Sequence, residues 1–258
     1  ADLDPAHRAA LEQLGIDLRG LVVRDGYRTP RAWQLFEHDG RRTEILRTDL
    51  DAFIRERPRI DELPADYLAA RGFHVLWGDL AEFDHAVDVL RAANEDVVLA
   101  WEPSPEQLVA SRADYQALLP RVDLFSPDLT EAKEITGEDD PEAMCATLTD
   151  WGARCVALRM GSRGSLVRTT TGDTWHTPPA PATLVDVTGG GNAYCGGFLV
   201  GLGSGLSPLE AALRASVSAS FALEQFGLPS FTASIRSEAE LRMNAVRERV
   251  SVLSSGRR

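Results

Sequence analysis

Asp186, Thr188, Gly189, Gly190, Gly191 and Asn192 fall within seven consecutive residues, and as a set they suit the stabilisation of phosphate charge. Glycine has no Cβ, so its N–H group can approach a ligand closely. The run Thr183-Leu184-Val185 before them reads as an apolar strand, and residues 193–202 after them read as an apolar helix. Three glycines at a helix N-terminus bring unpaired N–H groups and the positive end of the helix dipole to one spot, which makes an anion site.

Such a turn needs a scaffold, and the patterning supplies one. A helix is expected over 5–14. Strands are expected at Leu21-Val22-Val23, at 32–37 and at 43–46, the last two joined by a His38-Asp39-Gly40 turn with the Asp-Gly hairpin signal. From Phe73 onward strands and helices alternate. The expected strands are 73–77, 97–101, 122–125, 155–158 and 165–167, with Trp175-His176 in a further short one. Between them lie helices at 81–93, from Ser104-Pro105-Glu106-Gln107, at 128–135 and at 141–151. Three helices close the chain: 193–202, one capped by Ser207 and running to Gln225, and one capped by Ser237 and running to Val252. Alternation of this kind predicts an α/β fold, with a mostly parallel central sheet covered by helices on both faces. Residues 1–258 read as a single domain in which 21–47 form a small β lid.

The stretch 186–192 resembles the second signature of the PfkB carbohydrate kinase family (ribokinase-like), D-T-x-G-A-G-D, and Gly196-Gly197-Phe198 continues the likeness. Two other segments resemble family elements. Asp128-Leu129-Thr130-Glu131 is similar to N-x-x-E, and it is also a capping box. Residues 156–164, with Arg159, Gly161 and Gly164, are similar to the strand and glycine turn that lie along the nucleotide. The resemblance runs from about residue 14 to 250 and implies a ribokinase-like fold, ATP, Mg²⁺ and phosphorylation of a hydroxyl on a sugar, nucleoside or related small molecule. It assigns phosphate stabilisation to Gly189, Gly190 and Gly191, and nucleotide contacts to Arg159, Gly161, Gly164 and Thr188. Mg²⁺ organisation falls to Glu131 and Asp128, and a monovalent cation to the neighbourhood of Asp186. A homodimer through the lid is implied as well.

Two departures bear on activity. The family's catalytic Asp is Asn192 here, and an amide has no basic form near neutral pH. A divergent branch resembling the fungal maintenance-of-killer proteins shares this G-G-G-N. The substitution predicts a slow kinase with Asn192 orienting the acceptor hydroxyl; the alternative is a pseudokinase that binds nucleotide or sugar in a regulatory or scaffold role. The family's early strand and sugar-binding G-G-x-x-x-N segment also have no counterpart before Leu21, and the helix opening at Pro5 leads us to expect further sequence upstream of Ala1.

Composition narrows the partners. Lys+Arg 27 against Asp+Glu 39 gives a net charge of −12. That balance disfavours nucleic acid and anionic membranes but not a small phosphorylated ligand. Cys145, Cys155 and Cys195 lie in apolar stretches without metal spacing, and read as buried reduced thiols of a cytoplasmic protein. A NAD-dependent enzyme is disfavoured because no early G-x-G-x-x-G follows a strand. Metal hydrolysis is disfavoured because His7, His38, His74, His85 and His176 are scattered without i, i+4 pairing.

Overall fold

The computed structural model describes residues 3–36, 42–76, 78–230 and 233–255, as two compact units that divide after Leu68. The first unit holds α1 (Pro5–Gln13), an antiparallel ribbon of β1 (Ala32–Phe36) and β2 (Arg42–Leu46), and α2 (Leu50–Glu56). Asp4 caps α1 by accepting the Ala6 N–H, and Pro5 takes the first helical position. The ribbon is the expected hairpin; the expected turn at His38, Asp39 and Gly40 lies outside the described residues. The expected strand at Leu21-Val22-Val23 does not form. The Leu21 N–H turns back on Leu18 O instead, and Leu21 and Val23 lie exposed on irregular backbone.

The second unit holds β3 (Gly72–Val75), α3 (Leu80–Ala93), β4 (Val98–Trp101), α4 (Arg112–Leu118), β5 (Leu124–Phe125), α5 (Leu129–Thr136), α6 (Pro141–Asp150), β6 (Cys155–Arg159), β7 (Ser165–Thr169), β8 (Thr174–Thr177), α7 (Gly190–Gly203), α8 (Pro208–Ala222), α9 (Ile235–Arg247) and β9 (Ser251–Ser254). These strands form one sheet in the order β3-β4-β5-β6-β7-β8-β9. Pairing is parallel from β3 to β6 and antiparallel beyond. Trp77, expected to end β3, lies outside the described residues.

Alternation along the strands sorts the core into two layers. Trp101 stacks on Phe83 of α3 and on Tyr115 of α4, with Phe125 packed beside it. Ala100 and Ala157, each one step out of phase with a larger neighbour, pack in the same cluster as Tyr194, Cys195 and Phe198 of α7. The small strand residues leave room for these α7 side chains. Glycines bring α7 close to α8, where a Cβ on Gly197 would collide with Ser218 and one on Gly201 with Ala211. Among the described residues no helix is long and apolar enough to cross a membrane.

Three expected elements differ. Ser104-Pro105-Glu106-Gln107 makes a single 3₁₀ turn (Pro105–Gln107), and α4 starts later under a Ser111 cap. Gln107 is fully buried; its Oε1 accepts from Trp101 Nε1 and from the Ser104 N–H, both at 3.0 Å, so tertiary bonding stops the helix. The last helix starts under Ser234 rather than Ser237 and ends at Arg247, because Ser251–Ser254 pairs with β8 as an edge strand. The third difference concerns Thr183-Leu184-Val185, which is not a strand. The N–H groups of Val185 and Asp186 both donate to Leu223 O past the end of α8, and Leu184 and Val185 are exposed. The glycine turn is thus approached from a loop tied to α8.

Candidate active site

Gly189 is the N-cap of α7 and has φ +83°, a left-handed conformation that costs a side-chain-bearing residue about 1–2 kcal/mol. No hydrogen bond among the described residues uses the N–H of Gly189, Gly191 or Asn192, so three donors of the first turn stand open. Asn192 is therefore not the helix cap. It sits three positions beyond the cap, exposed, and its side chain makes no hydrogen bond among the described residues. Thr188 donates its N–H to Asp186 Oδ1 at 2.9 Å, which fixes the turn into the glycines.

Strand parity delivers charged groups beneath this turn. Ala157 faces α7, so Arg159, two residues on, faces it too; Glu102 follows Ala100 in the same way, and His74 pairs with Ala100 across β3 and β4. All three lie at the C-terminal ends of parallel strands, where open α/β sheets bind ligands. The Arg159 guanidinium reaches Glu102 Oε1 at 2.8 Å and Glu131 Oε2 at 3.4 Å. Its Nη1 lies where a Cβ on Gly191 would be, so Gly191 is glycine because the guanidinium occupies that space. The result is a positive pole made of helix N–H groups and one buried arginine.

Asp128 and Glu131 form the capping box of α5. Asp128 Oδ1 accepts from Thr130 and Glu131, and Glu131 Oε2 accepts the Asp128 N–H at 2.7 Å. Burial pushes the Glu131 carboxyl up to about 7, with Asp128 and Glu102 adding repulsion and Arg159 only partly offsetting it. Burial works the same way on Glu102, but His74 and Arg159 beside it hold its carboxyl below the ordinary range. Of the proposed cation-binding residues, Asp128 and Glu131 come together and Asp186 does not form a cluster of three with them. Gly161 and Gly164 bracket the turn between β6 and β7. A Cβ on Gly161 would meet open space, whereas one on Gly164 would overlap Thr177 O. Gly161 has φ +59°, a left-handed conformation that favours glycine, and Gly164 is required by the strand pair itself.

Glu131 gives the unliganded protein a pH dependence with a definite sign. A carboxyl raised from an ordinary 4.5 to about 7 favours the folded state while protonated, and that advantage is lost as pH rises from 4.5 through 7. Ionised Glu131 costs about 3 kcal/mol at pH 8 on this basis. Glu131→Gln keeps a capping side chain, so its melting temperature should exceed the parent's at pH 8 and match it near pH 5. Equal differences at both pH values would refute this assignment.

The comparisons with known proteins agree with this geometry. A profile described as pfkB family carbohydrate kinase matches residues 4–233. The chain belongs to the pfkB family. It is 28% identical over 201 residues to a cytidine kinase of Thermococcus kodakarensis, covering 77% of this chain and 69% of that one. It is 27% identical over 198 residues to protein MAK32 of Saccharomyces cerevisiae, covering 67% and 52%. It spans about half or less of several other curated relatives. In structure it is similar to a Burkholderia thailandensis nucleoside kinase in complex with inosine, with a TM-score of 0.71 at 18% identity, covering 93% of this chain and 76% of that one. The fold of this pfkB-family chain is thus ribokinase-like.

From the sequence Cys195 reads as a buried thiol and His74 as one of several scattered histidines, and Glu102 is not picked out. The available signal was a polar residue on the same face as Ala100 in otherwise apolar strands, which becomes legible only once α7 is known to cover that face.

Proposed function

We propose that this chain transfers a phosphoryl group from ATP to a hydroxyl of a sugar or nucleoside, slowly. The observation that carries the reading is the N-terminus of α7, with three open N–H donors and Arg159 directly beneath Gly191. Phosphoryl transfer spreads charge over the transferred oxygens, so fixed donors and positive charge supply most of the catalysis. Gly189, Gly191 and Asn192 would donate N–H groups to that charge. Arg159 would add a cation that burial and two carboxylates hold in place. Gly161 would let the nucleotide approach the β6–β7 turn.

The residues also fit Mg²⁺ arriving with the nucleotide. Mg²⁺ keeps several waters and needs few direct protein ligands, and Glu131 is a buried carboxyl whose ionisation a nearby divalent cation would favour. When bound, Mg²⁺ neutralises phosphate charge; Glu131, with Asp128 behind it, would orient its waters. Asp186 stands near the turn where a monovalent cation would act. Asn192, exposed and unengaged, would hydrogen-bond the acceptor hydroxyl without taking its proton.

The same exposed amide favours a second reading, a pseudokinase that binds nucleotide without turning it over. ATP and Mg²⁺ presented with a panel of nucleosides and sugars, and ADP release followed, separates the two. We expect slow, acceptor-dependent turnover. ATP binding without turnover across the panel would sink the kinase reading. A cytoplasmic location suits the three free, buried cysteines. A homodimer through the β1–β2 ribbon suits its exposed Trp33, Leu35 and Ile45.

A further inference from the structure

His74, Glu102 and Cys195 bring three metal-ligating atoms within 4.8 Å of one another beside the first turns of α7. Phosphoryl transfer as proposed above uses neither His74 nor Cys195, and uses Glu102 only to hold Arg159. Glu102 and Cys195 are buried, and the His74 side chain is 22% exposed. His74 Nε2 and Glu102 Oε2 stand 2.9 Å apart, yet both are buried atoms without a hydrogen-bond partner among the described residues. The two atoms form an ion pair when the imidazole is protonated and present two lone pairs to one point when it is neutral, with a thiol beside them.

We propose that His74 Nε2, Glu102 Oε2 and Cys195 Sγ bind one Zn²⁺ ion that clasps β3, the end of β4 and α7. A nitrogen, a carboxylate oxygen and a thiolate form a donor set for Zn²⁺ rather than for Mg²⁺, which takes oxygen. Tetrahedral Zn²⁺ with bonds of about 2.0–2.3 Å holds its donors roughly 3.3–3.8 Å apart, so side-chain shifts of about 1 Å complete the site. Glu102 already has its outer support, since Oε1 is held by Arg159 at 2.8 Å while Oε2 faces the site. Zn²⁺ takes the sulfur as thiolate and the imidazole as its neutral form, so binding releases protons. The exposed edge of His74 gives the ion an entry path. Three protein ligands leave the fourth position to water.

The untagged 258-residue chain, stripped with chelator and titrated with Co²⁺ and then Zn²⁺, tests this. We expect one equivalent of Co²⁺ with a thiolate-to-cobalt charge-transfer band, displaced by Zn²⁺ and not by millimolar Mg²⁺. Cys195→Ser should abolish the band. His74→Ala and Cys195→Ser should each weaken Zn²⁺ binding by about 100-fold or more. Burial pushes the Cys145 and Cys155 thiols up to about 12, so Cys145→Ala and Cys155→Ala should keep the band. Absence of the band in the parent protein overturns the proposal whatever the variants do. A band that survives Cys195→Ser in a folded chain, judged by circular dichroism, also overturns it. Neither outcome depends on kinase activity, so the site and the kinase reading fail separately.

Discussion

Asn192→Asp should raise acceptor-dependent phosphoryl transfer by about 10²-fold or more, the usual contribution of a positioned general base. The side chain needs no rearrangement. Asn192 lies in the first turn of α7, exposed and with its side chain free of hydrogen bonds among the described residues, and Asp has the same shape. A carboxylate there is favoured by the helix dipole and by the open N–H groups, worth about 0.3–1 kcal/mol, so it is ionised at neutral pH and able to accept a proton. The open donors and Arg159 stay in place, so the substitution adds a base to machinery that is otherwise intact. Turnover of parent and variant on the same acceptor at pH 7, followed by a pH profile, measures this. The variant should gain an acidic limb that the parent lacks. Unchanged or lower turnover would mean that the amide itself has a positive role, or that the turn does not present this residue to an acceptor.

The glycine run was legible as a tight turn into a helix because its conformation is local. A left-handed N-cap at Gly189 and a helix after it need only the residues themselves. The capping box of Asp128 and Glu131, and the helix it starts, were legible for the same reason. What could not be read was everything set by packing across the sheet. Thr183-Leu184-Val185 has strand composition but no strand to pair with, and its backbone goes to Leu223 O. Ser104 to Gln107 has a helix start signal, yet buried Gln107 is bonded to Trp101 and the helix stops. Gly191 looked like a glycine kept for a ligand, while its missing Cβ makes room for Arg159. The cluster around Glu102 joins three strands and a helix more than a hundred residues apart at the extremes, so no spacing in the sequence records it.

Arg159→Met should be the most destabilising single substitution at the site, lowering the melting temperature by roughly 6–20 °C. The side chain is 14% exposed and lies between Glu102 and Glu131, which are 10% and 22% exposed. Removing the cation leaves two buried carboxylates facing each other, and breaking a buried pair in this way costs about 3–5 kcal/mol. For a chain of this size each kcal/mol corresponds to about 2–4 °C. Arg159→Lys should fall between, since one ammonium cannot span both carboxylates as the planar guanidinium does. Gly191→Ala attacks the same contact from above, because its Cβ would displace Nη1, and should cost less because the guanidinium can shift rather than vanish. Coupling separates this account from general loss of packing. If the penalty is unpaired charge, Glu131→Gln should restore part of the stability of Arg159→Met, with an interaction energy of about 1 kcal/mol or more in the double-mutant cycle. Simple additivity of the two substitutions at pH 8 would show that the carboxylates do not depend on Arg159. In that case the positive pole beneath α7 would rest on the helix N–H groups alone.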